Sequence, residues 1–316
     1  MSAVLLKESK AEVSLLPSYW GPALWRVLSS FAAGLKDSLG DKPLPQDVVT
    51  LFSVMGGVLP CTFCRASYQK FTREILSESP RVVDIKDLFS TLVCADLPKF
   101  VFDLHNKVND KLDSQWFCRK VPALAEELHV PVEKLLAALK DTRFCEGRRP
   151  SWESVQQAHS IFSLKCTASD LMSVLFMLAL SYPDYTTKRL EGEGADTRDP
   201  AERRQDFDAF LDALPQVIRQ SKCGDSRFAD IVQNTWQRCV TGQCKYDLEH
   251  MDPVISGLVS TLHEKRSRGN MTREDMFMFV WALRARYKEG ECSSSKEVAY
   301  QDIEAVKNRY LGAIVR

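Results

Sequence analysis

Two cysteines three apart, Cys61 and Cys64, stand in the pentapeptide Pro60-Cys61-Thr62-Phe63-Cys64. An apolar stretch, 51–59, precedes it, and Arg65 to Leu76 reads as a helix. Proline suits the first turn of a helix, where its missing N–H is not needed, so this helix is placed from Pro60. Two cysteines at such a start face each other across one turn. A helix N-terminus carries partial positive charge, which lowers a thiol pKa. That is the chemistry of a redox-active dithiol. Three other readings fit a bare pair. A zinc half-site needs a second Cys/His pair, and the next histidine downstream, His105, stands alone. A thioredoxin-type motif needs a βαβ setting. Two buried structural thiols need nothing more.

The second set of residues is His105-Asn106-Lys107-Val108-Asn109-Asp110-Lys111-Leu112. On a helix His105, Val108, Asn109 and Leu112 share one face, with Asn106 adjoining. Buried amides need partners, so this mixture is costly against a plain apolar core. It suits a planar ligand with polar edges: the ring stacks, the amides meet heterocycle or ribose edges, and Lys111 reaches a phosphate. A surface helix end is the plainer reading of the same residues.

The elements that must position these residues are helical almost throughout, because glycine and proline are few and β-branched alternation is rare. Tyr19–Leu35 carries Trp20, Leu24, Trp25, Leu28 and Phe31 at helical spacing, and Gln46–Leu59 is a second helix. A fourth, from about Asp84 to Asp110, is expected to kink or divide at Pro98. Short connections make an antiparallel bundle the default. Beyond Asp113 the texture changes. Gly147–Ser151 reads as a boundary, Trp152–Tyr182 as an apolar helix, and Leu190–Asp206 as a polar, mobile loop. Further helices are expected over Phe207–Gln220, Phe228–Arg238, Asp252–His263, Thr272–Tyr287 and Glu297–Tyr310. The expected fold is therefore all-α, with a four- or five-helix bundle in residues 1–120, a connecting helix and linker in 121–150 and a helical accessory domain in 151–316.

Composition narrows the partners. Hydrophobic content of 45% and charge of 27% are those of a globular protein. Lys+Arg and Asp+Glu are both 42, so net charge implies neither a nucleic-acid nor a membrane surface. The longest clear apolar run, Leu171–Leu180, is too short to span a bilayer. Met1–Leu16 has neither a secretory h-region nor an arginine-rich presequence pattern. Ten cysteines in 316 residues are too sparse for a disulfide scaffold, and no metal site is expected.

Taken together, H-N-x-V-N-x-K-L downstream of P-C-x-x-C, with W-G-P-x-L-W upstream of it, resembles the Erv/ALR family of FAD-linked sulfhydryl oxidases across Trp20 to Cys118. The resemblance implies a helical bundle holding FAD, with the C-x-x-C disulfide beside the isoalloxazine ring. Cys64 would be the flavin-proximal cysteine and Cys61 the outer one, attacked by an incoming thiolate. Trp20, Trp25, Phe63, Cys64, His105, Asn106, Val108, Asn109, Lys111 and Leu112 would line the cofactor. Electrons would pass to dioxygen, giving hydrogen peroxide, or to cytochrome c. Two positions depart from the pattern. Ser29 stands where the family has a histidine, and Phe102 stands where a cysteine would pair with Cys118. Cys94, about two turns upstream, is a poor substitute.

Such enzymes usually draw electrons through a second, mobile cysteine pair. No cysteine precedes Cys61, so a shuttle must lie downstream. Cys239 and Cys244, around Gly242, are the best pair, and Cys292 lies in an exposed, serine-rich stretch. A structural role for Cys239 and Cys244 stands equally beside it. A bundle with a long helical extension resembles the kinetoplastid mitochondrial members, and next the giant-virus two-domain members. The first implies the mitochondrial intermembrane space, the second the host cytosol. Cysteine-bearing protein substrates and a homodimer are what the resemblance implies as partners. The competing class is a helical interaction module that has lost the flavin.

Overall fold

The computed structural model describes residues 17–77, 84–127, 129–131, 134, 152, 167–183, 196–222, 226–243 and 253–289. Every element is a helix, and no strand occurs among the described residues. The all-α expectation holds. In chain order the helices are α1 (Pro17–Leu39), α2 (Gln46–Val58), α3 (Thr62–Leu76), α4 (Ile85–Ser90), α5 (Leu97–Glu127), α6 (Ala168–Leu180), α7 (Pro200–Gln220), α8 (Ser226–Thr241), α9 (Pro253–Ser267) and α10 (Arg273–Glu289). No helix among the described residues is long and apolar enough to cross a membrane.

Local chemistry accounts for several starts. Thr167 and Asp199 each form a capping box, with Asp170 and Glu202 answering from the first turn. Pro200 follows Asp199 at the first helical position, where a backbone N–H has no helical acceptor and proline's lack of one costs nothing. Asp84 caps α4 by accepting from the Lys86 N–H at 2.8 Å.

The expected fourth helix is two helices, and Pro98 is not its kink. α4 ends at Ser90, and α5 begins at Leu97, with Pro98 in its first turn. The break lies at 91–96, where tertiary backbone bonds compete with the helix. The Leu44 N–H donates to Leu92 O at 3.1 Å, and the Cys94 N–H donates to Lys42 O at 2.9 Å. Asp96 accepts from the Val93 N–H, holding the turn. α5 then continues to Glu127, so the boundary expected at residue 120 falls inside a helix.

The segments on either side of the expected linker share one buried core. α6 packs on α1 and α10, and α7 lies along α2 and α8. Leu24, Leu28, Phe31, Leu51 and Phe52 from the first segment belong to the same cluster as Leu175, Phe176, Phe210, Leu214 and Val217 from the second. Helix α7 meets the bundle at two glycines. A Cβ on Gly34 would lie 1.8 Å from Ser221 O, and one on Gly57 would lie 1.8 Å from an Asp206 carboxylate oxygen. Ordinary carbon contacts are about 3.5–4 Å, so an alanine at 34 must push α7 away from α1. Gly34→Ala is expected to cost about 1–3 kcal/mol in chemical denaturation. Gly21→Ala is the control, because its Cβ meets nothing within 4 Å. It should be neutral or gain up to about 1 kcal/mol from helix propensity. Equal effects of the two would contradict this packing.

Candidate functional site

Cys61 and Cys64 form a disulfide with a Cα–Cα separation of 5.1 Å. Helix α3 begins at Thr62, two residues later than Pro60, and Cys61 is its N-cap. The Cys61 backbone is extended (φ −140°, ψ 122°), and its Sγ accepts from the Cys64 N–H at 3.2 Å. Serine, threonine, asparagine or aspartate usually fills this position. A sulfur here sits against the positive end of the helix, so reduction would leave the Cys61 thiolate stabilised.

The two cysteines differ in exposure. Cys61 is 6% exposed, while Cys64 is half-buried and Phe63 beside it is 50% exposed. The Cys64 side of α3 continues through Ser67, one turn on. Ser67 donates to Phe63 O at 2.6 Å and receives the Lys111 ammonium at 2.5 Å. That contact ties the end of the His105–Leu112 stretch to α3 beside Cys64. Burial and the neighbouring Lys70 charge both push the Lys111 pKa down. An anionic group there would reverse the penalty.

His105 and Trp25 stack, with ring centroids 4.3 Å apart and planes at 20°. This contact joins α5 to α1. The Asn106 and Asn109 side chains are half-buried and make no hydrogen bond with another described residue. Val108 packs on the core, and Leu112 is 48% exposed. Trp20 lies in the core. Thus Trp25, Phe63, Cys64, His105, Asn106, Asn109, Lys111 and Leu112 are carried on the linked helices α1, α3 and α5, whereas Trp20 is a packing residue. Half-buried amides without hydrogen-bond partners among the described residues, a stacked ring pair and a lysine with a lowered pKa form a donor set that fits FAD.

What the sequence did not reveal is the structure behind Cys61. The end of α2 presents carbonyls that no further helical turn satisfies. Distant residues supply the donors. Arg198 donates to Gly56 O, Arg203 to Gly57 O at 3.0 Å, the Ser181 hydroxyl to Val58 O at 3.4 Å, and Arg65 to Leu59 O at 2.9 Å. The guanidinium groups also suit the negative end of the α2 dipole. Arg65 is fully buried and donates to Asp196 at 2.7 Å. The Asp196 N–H donates in turn to Thr62 Oγ1 at 3.1 Å, and Thr62 is 1% exposed.

Asp196 and Asp206 ionise differently within this cluster. Burial opposes the Asp196 charge, but hydrogen bonds and positive charge from Arg198 and Arg65 outweigh it and hold its pKa down. Asp206 accepts from Arg198 at 2.7 Å. Burial nevertheless pushes its pKa up to about 6, with the Asp196 charge adding to the rise and Arg198 opposing it. The stretch read as a mobile loop, Leu190–Asp206, is thus corrected over its described part. Asp196 is buried and α7 has begun by Pro200, because pairing with the α2 end satisfies charges that look solvent-facing in sequence.

The shuttle expectation also changes. Cys239 is fully buried in α8, and burial pushes its thiol up to about 12. A mobile electron carrier needs an accessible, ionisable thiol, which Cys239 in this position is not. Its place on the apolar face with Phe228, Val232 and Trp236 was legible from i, i+3 and i, i+7 spacing. Cys244 and Cys292 lie outside the described residues. Cys94 is a free, buried thiol, with its pKa raised by burial. The Phe102 ring, where the resemblance expects a cysteine, lies 5.3 Å from that of Trp152.

No family model, no curated protein and no solved structure matches this chain.

Proposed function

We propose that the chain is a flavin-linked sulfhydryl oxidase of the Erv/ALR type, which oxidises dithiols of cysteine-bearing proteins to disulfides. One observation carries this reading. The Cys61–Cys64 disulfide caps α3 and has its half-buried Cys64 on the side where Lys111 is held by Ser67. When bound, FAD supplies a two-electron acceptor for the dithiol and a route onward to dioxygen or cytochrome c.

The chain's own residues perform the rest. A donor thiolate bonds to Cys61 Sγ, and Cys64 leaves as a thiolate. The donor's second thiolate closes its own disulfide and expels Cys61. The Cys64 N–H and the α3 N-terminus stabilise negative charge on that leaving sulfur, which speeds its departure. Trp25 and His105 present a ring pair to a heterocycle. Asn106 and Asn109 offer both donors and acceptors to its edges, and Lys111 meets a phosphate. Placement in the mitochondrial intermembrane space follows from the resemblance to kinetoplastid members, and the host cytosol follows from the viral alternative. A homodimer has to use surfaces other than those of α1 and α2 that α6 and α7 cover within the same chain.

The test is oxygen uptake with dithiothreitol by the FAD-loaded chain. Stoichiometric peroxide formation supports the reading. No uptake, with the disulfide intact and FAD present, rejects it.

A further inference from the structure

Resting on the oxidase reading, we infer that Arg65 and Asp196 are positioning residues for that reaction: they clamp the chain on both sides of Cys61 and so favour the reduced form of the Cys61–Cys64 pair. Only Leu59, Pro60 and Cys61 join α2 to α3, and all of them are buried. Leu59 leaves α2 at φ −54°, ψ 137°, and Cys61 enters α3 at φ −140°, ψ 122°. Neither conformation is helical, so partners outside the regular helix ladder set the path of this connection. Arg65 supplies two of them. Its backbone N–H donates to Cys61 O at 2.9 Å, and its guanidinium reaches back to Leu59 O at 2.9 Å. Asp196 closes the ring. Its carboxylate accepts from Arg65 Nε at 2.7 Å, and its own N–H donates to Thr62 Oγ1 at 3.1 Å. Residues 59 and 62 are thereby tied to one buried ion pair, and Cys61 lies between them.

The ring holds Cys61 where its Sγ accepts from the Cys64 N–H at 3.2 Å. That bond differs in strength between the two redox states. In the disulfide the acceptor is neutral. After reduction a Cys61 thiolate accepts the same N–H, and charge-assisted bonds are about twice as strong. The positive end of α3 also acts on the thiolate more than on the disulfide. A clamp that keeps the sulfur at the cap therefore stabilises the reduced pair more than the oxidised one. The ion pair does this by position and not by net charge, because Asp196 offsets the Arg65 charge beside it. A disulfide whose reduced form is stabilised is the stronger acceptor for a donor dithiol. The second segment thus sets part of the oxidising power of the cysteine pair.

The measurement is the equilibrium constant for reduction of Cys61–Cys64 by glutathione in the full chain under nitrogen. Two glutathione thiols become one glutathione disulfide, and the cysteine pair takes up the two electrons and two protons as two thiols. Mixtures of reduced and oxidised glutathione are quenched with an alkylating reagent, and free Cys61 and Cys64 are counted by mass spectrometry. Thr62→Val keeps the side-chain shape and removes the acceptor of the Asp196 N–H. It is expected to lower the constant about threefold or more. Thr62→Ser keeps the hydroxyl and should leave the constant near that of the wild type. A merely structural role moves urea unfolding and not this constant. If Thr62→Val lacks the native circular dichroism signal, Arg65→Met combined with Asp196→Leu decides. It takes the guanidinium from Leu59 O without stranding a charge, and the same fall of about threefold is expected. A constant unchanged or raised in the deciding variant, or lowered as much by Thr62→Ser as by Thr62→Val, overturns the clamp. A chain that shows the predicted fall yet takes up no oxygen as wild type keeps the clamp and loses the oxidase reading. A chain that turns over with oxygen yet shows no fall does the opposite.

Discussion

Cys64→Ser is expected to keep FAD bound and to lose oxygen uptake with dithiothreitol by at least about a hundredfold. The expectation follows from where the two sulfurs lie. Cys64 is the half-buried cysteine and shares its side of α3 with Ser67, which holds Lys111. A serine there leaves the helix cap intact, because the cap is the Cys61 sulfur accepting from the backbone N–H of residue 64. Fold and cofactor pocket should therefore survive. What is lost is the partner that closes the disulfide. Cys61 is left as a lone thiol, so there is no disulfide for a dithiothreitol thiolate to attack and no electrons enter the site. Turnover at the wild-type rate in this variant would show that Cys64 is not the cofactor-side cysteine.

Asp196→Ala should destabilise the chain by about 3–5 kcal/mol, measured by urea unfolding near neutral pH. Arg65 has no exposed side-chain surface and Asp196 only 3%, with 2.7 Å between them. Deleting the carboxylate takes a counter-charge away from a buried guanidinium, and the bond to Leu59 O does not replace it. The same change removes an acceptor of Arg198. Surface pairs such as Lys99–Asp103, with Lys99 55% exposed, contribute at most about 1 kcal/mol, so Asp103→Ala is the matched control. Replacing both buried partners by apolar residues, as Arg65→Met with Asp196→Leu, should recover most of the loss. A cost below about 1 kcal/mol for Asp196→Ala would mean that the buried pair is not what holds the second segment to the cysteine turn.

Much of the bundle was legible because its signals are local. Trp20, Leu24, Leu28 and Phe31 recur at helical spacing and all four are buried. Pro60 and the cysteine spacing marked a helix start within two residues of its position. His105 and Trp25 were chosen from separate helices and their rings stack. What escaped notice depends on partners far along the chain. The break at 91–96 is made by backbone bonds to 42–44, and no proline or glycine within it announces that. Arg65 and Asp196 lie 131 residues apart, so nothing near either predicts a buried ion pair. The arginines at 198 and 203 gave Leu190–Asp206 the composition of a solvated loop. In the fold they complete the hydrogen bonding at the end of α2. Cys239 carried a shuttle and a structural reading with equal weight, and its spacing on α8 already marked the core position it occupies.

These contacts also revise the division of labour between the segments. The second segment is not only an appendage to the N-terminal bundle. It buries α1 and α2, satisfies carbonyls ahead of Pro60 and bonds Thr62 beside Cys61.

The most direct measurement is the visible spectrum of the chain purified under native conditions and supplemented with FAD. The account predicts the absorption band of a protein-bound oxidised flavin, bleached by dithiothreitol under nitrogen and restored by air with formation of peroxide. A colourless chain that retains no FAD after gel filtration, with Cys61–Cys64 intact, would contradict it.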